Sequence, residues 1–288
     1  MHPLPRQRVT VTVLAAPRGP VHSPRMTHGA DALPLIERLD FHLHTYYSAC
    51  GKRDMIPAAI AAGFHEAGYL AIGFTDHLHP WIDPVIFDRL RADLDADVRT
   101  YEGLRCYVGC EAEVVAPGQV TLSREAAERV DFAIVSASHF QLPHVLRPGN
   151  PSPVGVASHY LSFFREAVRW PGTTAIAHPF HTNPDPLGPM VDIWRYVDRH
   201  ELRDALQEAA GLGVAMELSP KALAPAYYDV LLEFYSIARE SGAKFTVGSD
   251  AHARSGVATT ARLRTLADVI GLSDSDIWRP TAPPRPVV

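Results

Sequence analysis

The chain has 288 residues, 47% of them hydrophobic and 20% charged, which is enough apolar material to bury a substantial core. A formal net charge of -5, with no cluster of Lys and Arg, excludes a surface built to track a phosphodiester backbone, so no nucleic-acid partner is expected. No apolar run approaches the roughly 18–20 residues that cross a bilayer, and three cysteines without CxxC spacing exclude a disulfide framework and a zinc knuckle.

Residues 1–36 are rich in Pro, Arg, His and small residues and lack periodicity; they read as a poorly ordered leader with at most one edge strand over Val9–Leu14. VTVTVLAA within it is too short and too rich in threonine for a signal-peptide core, so the expected location is the cytoplasm. Residues 37–275 form the expected domain, followed by a tail over 276–288. Nothing in the pattern specifies an oligomer.

In the domain, short apolar runs alternate with longer amphipathic ones, the rhythm of β/α units around a parallel sheet. Strands are predicted at Arg38–His42, Leu70–Thr75, Leu104–Cys110, Phe132–Ala137, Thr173–Ala177, Val214–Leu218 and Lys244–Gly248. Helices are predicted at Met55–Ala67, Ile86–Arg99, Arg124–Arg129 behind Ser123, Val156–Trp170, Glu201–Leu212 and Tyr227–Ser241. The fold class is therefore α/β, an irregular (β/α)7 relative of the eight-fold TIM barrel. Segments 140–154 and 179–195, rich in Pro, Gly and Asn, are expected to be loops that shape a pocket.

Nearly every predicted strand ends on a group able to bind a metal. His42 and His44 follow the first, Asp76 and His77 the second, Glu111 the third, His139 the fourth and His178 the fifth; Glu217 lies in the sixth, and Asp250 and His252 follow the seventh. Strand alternation over Asp40-Phe41-His42-Leu43-His44 points both imidazoles to one side, together with Asp40. GSDAH repeats this logic for Asp250 and His252, and LRCYVGCE places Tyr107, Gly109 and Glu111 on one face with Cys106 and Cys110 turned outward as packing residues. An isolated HxH is more often an ordinary histidine pair, and a single strand-end His more often a structural residue. So many imidazoles and carboxylates on one barrel rim are a different case, because without cations they leave uncompensated charge. Mixed N and O donors suit Zn, Mn or Fe.

DFHLHT, FTDH, GCEAE, SASHF, IAHPF and GSDAH, in this order over about residues 37–270, resemble the motifs of the polymerase and histidinol phosphatase (PHP) superfamily, in its histidinol-phosphatase-like branch. The resemblance implies a PHP-type barrel holding two or three divalent transition-metal ions that hydrolyse a small phosphorylated substrate by attack of metal-activated hydroxide on phosphorus. It implies one ion held by His42, His44, Glu111 and Asp250, a second by His139 and His178 with Glu111 bridging, and a third by His77 and His252. Many members supply one more His to the third site; here that position is Cys50, whose thiolate Zn or Fe accepts.

His252 and His77 are the expected proton donors to the leaving group if the third ion is absent, and Asp76 and Asp40 the carboxylates that orient imidazoles. Arg254, His181 and His79 are the expected substrate contacts, with Lys221 a weaker one. The competing readings are an amidohydrolase-like C–N or C–O hydrolase and a non-catalytic module of the same fold.

Overall fold

The computed structural model describes residues 34–97, 101–181, 186–283 and 285. Of the leader expected over residues 1–36, residues 1–33, with the edge strand at Val9–Leu14, lie outside the described residues, as does the end of the tail. Described residues begin with a 3-10 turn at Leu35–Glu37 that buries Ile36.

Among the described residues seven strands run parallel: β1 (Leu39–Leu43), β2 (Ala71–Phe74), β3 (Arg105–Ala116), β5 (Phe132–Ser136), β6 (Ala175–Ala177), β7 (Ala215–Leu218) and β8 (Phe245–Val247), hydrogen-bonded in that order. An additional short strand, β4 (Gln119–Val120), pairs antiparallel with β3. Between β8 and β1 the sheet closes through the GSDAH segment. Asp250 donates its N–H to the His42 carbonyl at 2.9 Å, and His44 donates to the Ala251 carbonyl at 3.1 Å. The result is the nearly closed seven-stranded α/β barrel expected from the alternating pattern.

The helices are α1 (Pro57–Glu66), α2 (Val85–Asp97), α3 (Arg124–Arg129), α4 (Pro153–Arg169), α5 (Met190–Trp194), α6 (Arg199–Leu212), α7 (Tyr228–Glu240) and α8 (Arg264–Ile270). Capping explains where several begin. Ser152 accepts from Gly155 N at 3.2 Å and Pro153 takes the first helical position, so α4 starts three residues before the predicted Val156. Asp198 accepts from the N–H groups of His200 and Glu201 and moves the start of α6 to Arg199. Helices α5 and α8 were not predicted, since five and seven residues are too short to show a helical period. No described helix is long and apolar enough to cross a membrane.

Two departures in the strands decide how the site is built. First, β3 does not stop at Glu111; it continues to Ala116 and turns back into β4, so Glu111 is a mid-strand residue and Glu113 follows it on the same side. Second, β1 carries a β-bulge between Asp40 and Leu43. Bulges re-aim side chains, and this one breaks the predicted alternation. Phe41 turns into the barrel, its ring 5.8 Å from that of Phe132 and 6.1 Å from that of Tyr107, across Gly73 and Gly109, which leave room for the Phe132 ring. His42 also faces inward. Asp40 bonds to the backbone N–H groups of His42 and Ser249 and reaches no imidazole, which corrects its expected role. Burial pushes its carboxyl up to about 7.

Candidate metal centre

The two oxygens of Glu111 lie among five imidazoles. Oε2 is 3.3 Å from His42 Nε2, 3.4 Å from His44 Nε2 and 2.9 Å from His77 Nδ1; Oε1 is 3.3 Å from His139 Nε2 and 2.9 Å from His178 Nε2. Asp250 supplies the second carboxylate, its Oδ1 3.5 Å from His42 Nε2, 3.1 Å from His44 Nε2 and 3.4 Å from His252 Nδ1. These contacts come from β1, β3 and the segments after β2, β5, β6 and β8, so the centre exists only once the barrel has closed.

Backbone strain accompanies this convergence. Asp250 has φ 53° and His178 φ 28°, both in the left-handed region that non-glycine residues avoid. The strand alternation predicted for GSDAH therefore fails, because β8 ends at Val247. Asp250 and His252 reach the centre through a turn instead.

The donor spacing fits cations. Ligand atoms on bonds of ~2.0–2.1 Å around a tetrahedral ion lie about 3.3 Å apart. His42 Nε2 and His44 Nε2 are 3.1 Å apart, and their distances to Glu111 and Asp250 span 3.1–3.5 Å. Glu111 Oε2 and His77 Nδ1 are buried and, among the described residues, make no hydrogen bond, although 2.9 Å separates them. An ion between such atoms satisfies both. Further groups with spacing suited to an ion are His42, Glu111 and His178; His77, Glu111 and His139; and His44, Cys50, His77 and His252, whose donor atoms all lie within 4.8 Å of one another. The structure thus gathers every expected ligand, Cys50 included.

Titration follows the crowding. Burial opposes the charge on Glu111, and His42, His77 and His139 outweigh it, holding the carboxyl well below the usual range. Asp250 is depressed in the same way, with burial overcome by His42, His44 and Lys221. His42, buried but faced by Glu217, Glu111 and Asp250, is raised well above its ordinary value, whereas burial and the neighbouring His77 drive His44 well below.

Supporting residues hold the rings. Glu217 accepts from His42 Nδ1 at 2.8 Å and from the His178 N–H. Asp76 accepts from Ser48 Oγ at 2.6 Å and from the N–H and hydroxyl of Thr45, while Ser48 Oγ sits 3.3 Å from His44 Nδ1. Fully buried, Asp76 orients His44 through Ser48 and does not line the cavity. Glu113 accepts from His139 Nδ1 at 3.0 Å.

A cavity of about 390 Å³ opens above the centre, lined among others by Cys50, His77, His79, Gln141, Leu142, His181, Lys221 and His252. His79 and His181, two of the expected substrate contacts, line this cavity. Arg254 does not: its guanidinium lies over α1 beside Gly63, away from the cavity. Lys221, on the 3-10 turn Pro220–Leu223 after β7, contacts Asp250 Oδ2; burial opposes its charge but Asp250 raises its pKa. Burial, His178 and Lys221 lower His181 to about 3.

Sequence reasoning missed Glu113, His144 and the grip of Glu217 on His42. Glu113 had a signal, the EAE spacing that repeats Glu111 at the strand period; His144 sits in an irregular segment with none.

No family model and no curated protein matches the chain. Among solved structures, histidinol phosphate phosphatase from Lactococcus lactis subsp. lactis, complexed with zinc, L-histidinol and phosphate, is 18% identical at TM-score 0.55, with 82% of this chain and 94% of that one covered. The fold is the PHP-type barrel. A structure from work on YwqE of Bacillus subtilis and CpsB of Streptococcus pneumoniae, described as metal-dependent tyrosine phosphatases, is 16% identical at TM-score 0.48, with 87% of this chain and 99% of that one covered.

Proposed function

We propose that the chain is a member of the PHP superfamily and a metal-dependent phosphoesterase that hydrolyses a small-molecule phosphate monoester. The observation that carries this reading is the Glu111 carboxylate shared by five imidazoles at the C-terminal end of a parallel barrel, with Asp250 completing the set. The histidinol phosphate phosphatase with the same fold binds zinc and phosphate, which supports the assignment.

His42, His44, Glu111 and Asp250 would hold one ion, Glu111 with His139 and His178 a second, and His77 and His252 with Cys50 a third, the metal being Zn, Mn or Fe. Bound there, divalent cations supply Lewis-acid chemistry, acidifying water and neutralising phosphate oxygens. The side chains do the remaining work. Lys221 places a positive charge on the cavity wall, which draws in an anionic substrate. His181 stays neutral at pH 7 and offers hydrogen bonds without charge. Burial lowers the pKa of His252 against the pull of Asp250, which favours a ligand over a proton donor. A cavity of about 390 Å³ suits a metabolite; histidinol phosphate and the sugar and nucleoside monophosphates are candidates.

The test is turnover of p-nitrophenyl phosphate and a panel of phosphorylated metabolites by protein refilled with Zn, Mn or Fe, beside an amide panel. Phosphatase activity that falls to background in His42→Ala and Asp250→Ala, with the fold retained, is expected. Amide turnover without phosphatase activity would establish the amidohydrolase-like reading. Less than one metal equivalent after refilling would establish a non-catalytic module.

A further inference from the structure

Strand β3 carries two buried carboxylates facing the same way, and the proposed reaction uses one of them. Glu111 and Glu113 are 2% and 1% exposed and two residues apart, so both project to one side. Their surroundings repeat with the same step. His77 places Nδ1 2.9 Å from Glu111, and His79, two residues on, places Nδ1 2.9 Å from Glu113 Oε1. His139 stands between the two acids, with Nε2 toward Glu111 and Nδ1 3.0 Å from Glu113 Oε2. His144 adds the third ring around Glu113, its Nε2 2.5 Å from Oε1.

We propose that His79, Glu113 and His144 form a further binding site for a divalent transition-metal ion, one strand period outward from the Glu111 centre. The three donor atoms lie within 4.8 Å of one another, and two imidazoles with one carboxylate are a zinc-type set that leaves a coordination position open. Packing holds the rings ready. His79 stacks on His77 with centroids 4.7 Å apart, and Trp81, itself 65% exposed, packs against His79 at 5.0 Å and His144 at 4.9 Å.

Hydrogen bonds leave this cluster incompletely satisfied. Two rings share one carboxylate oxygen, and His144 Nδ1 is buried with no hydrogen-bond partner among the described residues. A cation takes a lone pair from each ring together with the carboxylate charge. Admitting it requires the donors to spread to about 3.3 Å, and His144 lies in the irregular segment between β5 and α4, where that adjustment strains no strand. His79 also lines the cavity, so the ion would border the substrate space.

Full-length protein, stripped with a chelator and dialysed against micromolar free Zn(II), tests this by metal content, and crystals so prepared by anomalous scattering on either side of the zinc edge. One zinc equivalent fewer in His144→Ala and in His79→Gln than in the unaltered protein is expected, with circular dichroism unchanged. The unaltered protein should show an anomalous peak bonded to His79, Glu113 and His144, and His42→Ala should keep that peak while losing zinc from the Glu111 centre. Zinc at Glu111 with none at Glu113, or equal zinc content in the unaltered protein and both variants, would overturn the proposal and leave the reading of the Glu111 centre intact. The map of the unaltered protein decides the matter even if a variant fails to fold.

Discussion

Glu217 Oε1 lies 2.8 Å from His42 Nδ1, while its other oxygen takes the backbone N–H of His178. One carboxylate on β7 thereby sets the ring of His42 on β1 and the backbone of His178 after β6. Glu217→Gln keeps one acceptor and turns the other into a donor that faces an N–H group. Zinc affinity is expected to fall about 10–100-fold, the usual cost of losing such a partner. Competition with a chromophoric chelator measures it, and an unchanged Kd would remove Glu217 from the positioning of the centre.

Gly248 marks where this arrangement leaves no space. A Cβ there would come 1.9 Å from Glu217 Oε1 and 2.5 Å from the His42 Cβ. Gly248→Ala is expected to cost about 1–3 kcal/mol of stability through overpacking and to weaken zinc binding with it. Urea denaturation of the metal-free protein checks the first effect; a midpoint equal to that of the parent would show that the strands give way freely.

Cys50 is an exposed residue, but its thiol faces the centre, where desolvation, reinforced by Glu111 and Asp250, pushes it up to about 12, so a metal entering the His44, Cys50, His77 and His252 group must displace a proton near pH 7. A neutral imidazole carries no such cost. Cys50→His should raise zinc occupancy at pH 6–7, with the gap narrowing as pH rises. Zinc titrations at pH 6 and 8 measure this, and identical stoichiometry and rate at both would make Cys50 a bystander.

His181 is buried and neutral, with a folded value of about 3 against an ordinary 6.5. The unfolded chain takes up this proton as pH falls through 6.5, and the folded chain does not until about 3. Stability is therefore full above pH 6.5 and declines across the interval below it, by up to about 2 kcal/mol between pH 6.5 and 5 from this one group. Unfolding free energies of metal-free protein at pH 7, 6 and 5 should fall less steeply in His181→Gln. Parallel slopes would contradict the assignment.

The sequence by itself determined the seven parallel strands, because apolar runs of strand length are properties of neighbouring positions along the chain, and it marked the residues from His42 to His252 as candidate ligands by their places at strand ends. It did not carry the bulge that turns Asp40 away, the run of β3 past Glu111, the turn that swings Asp250 to φ 53° or the course of Arg254 over α1. Nor did it show that Glu217 reaches His42, or that His144 meets Glu113. Those relationships join groups that are remote along the chain, and their geometry depends on strand register and barrel closure. Only the tertiary structure decided them, since a side chain's direction at a strand end follows from how the backbone is held by its neighbours in space.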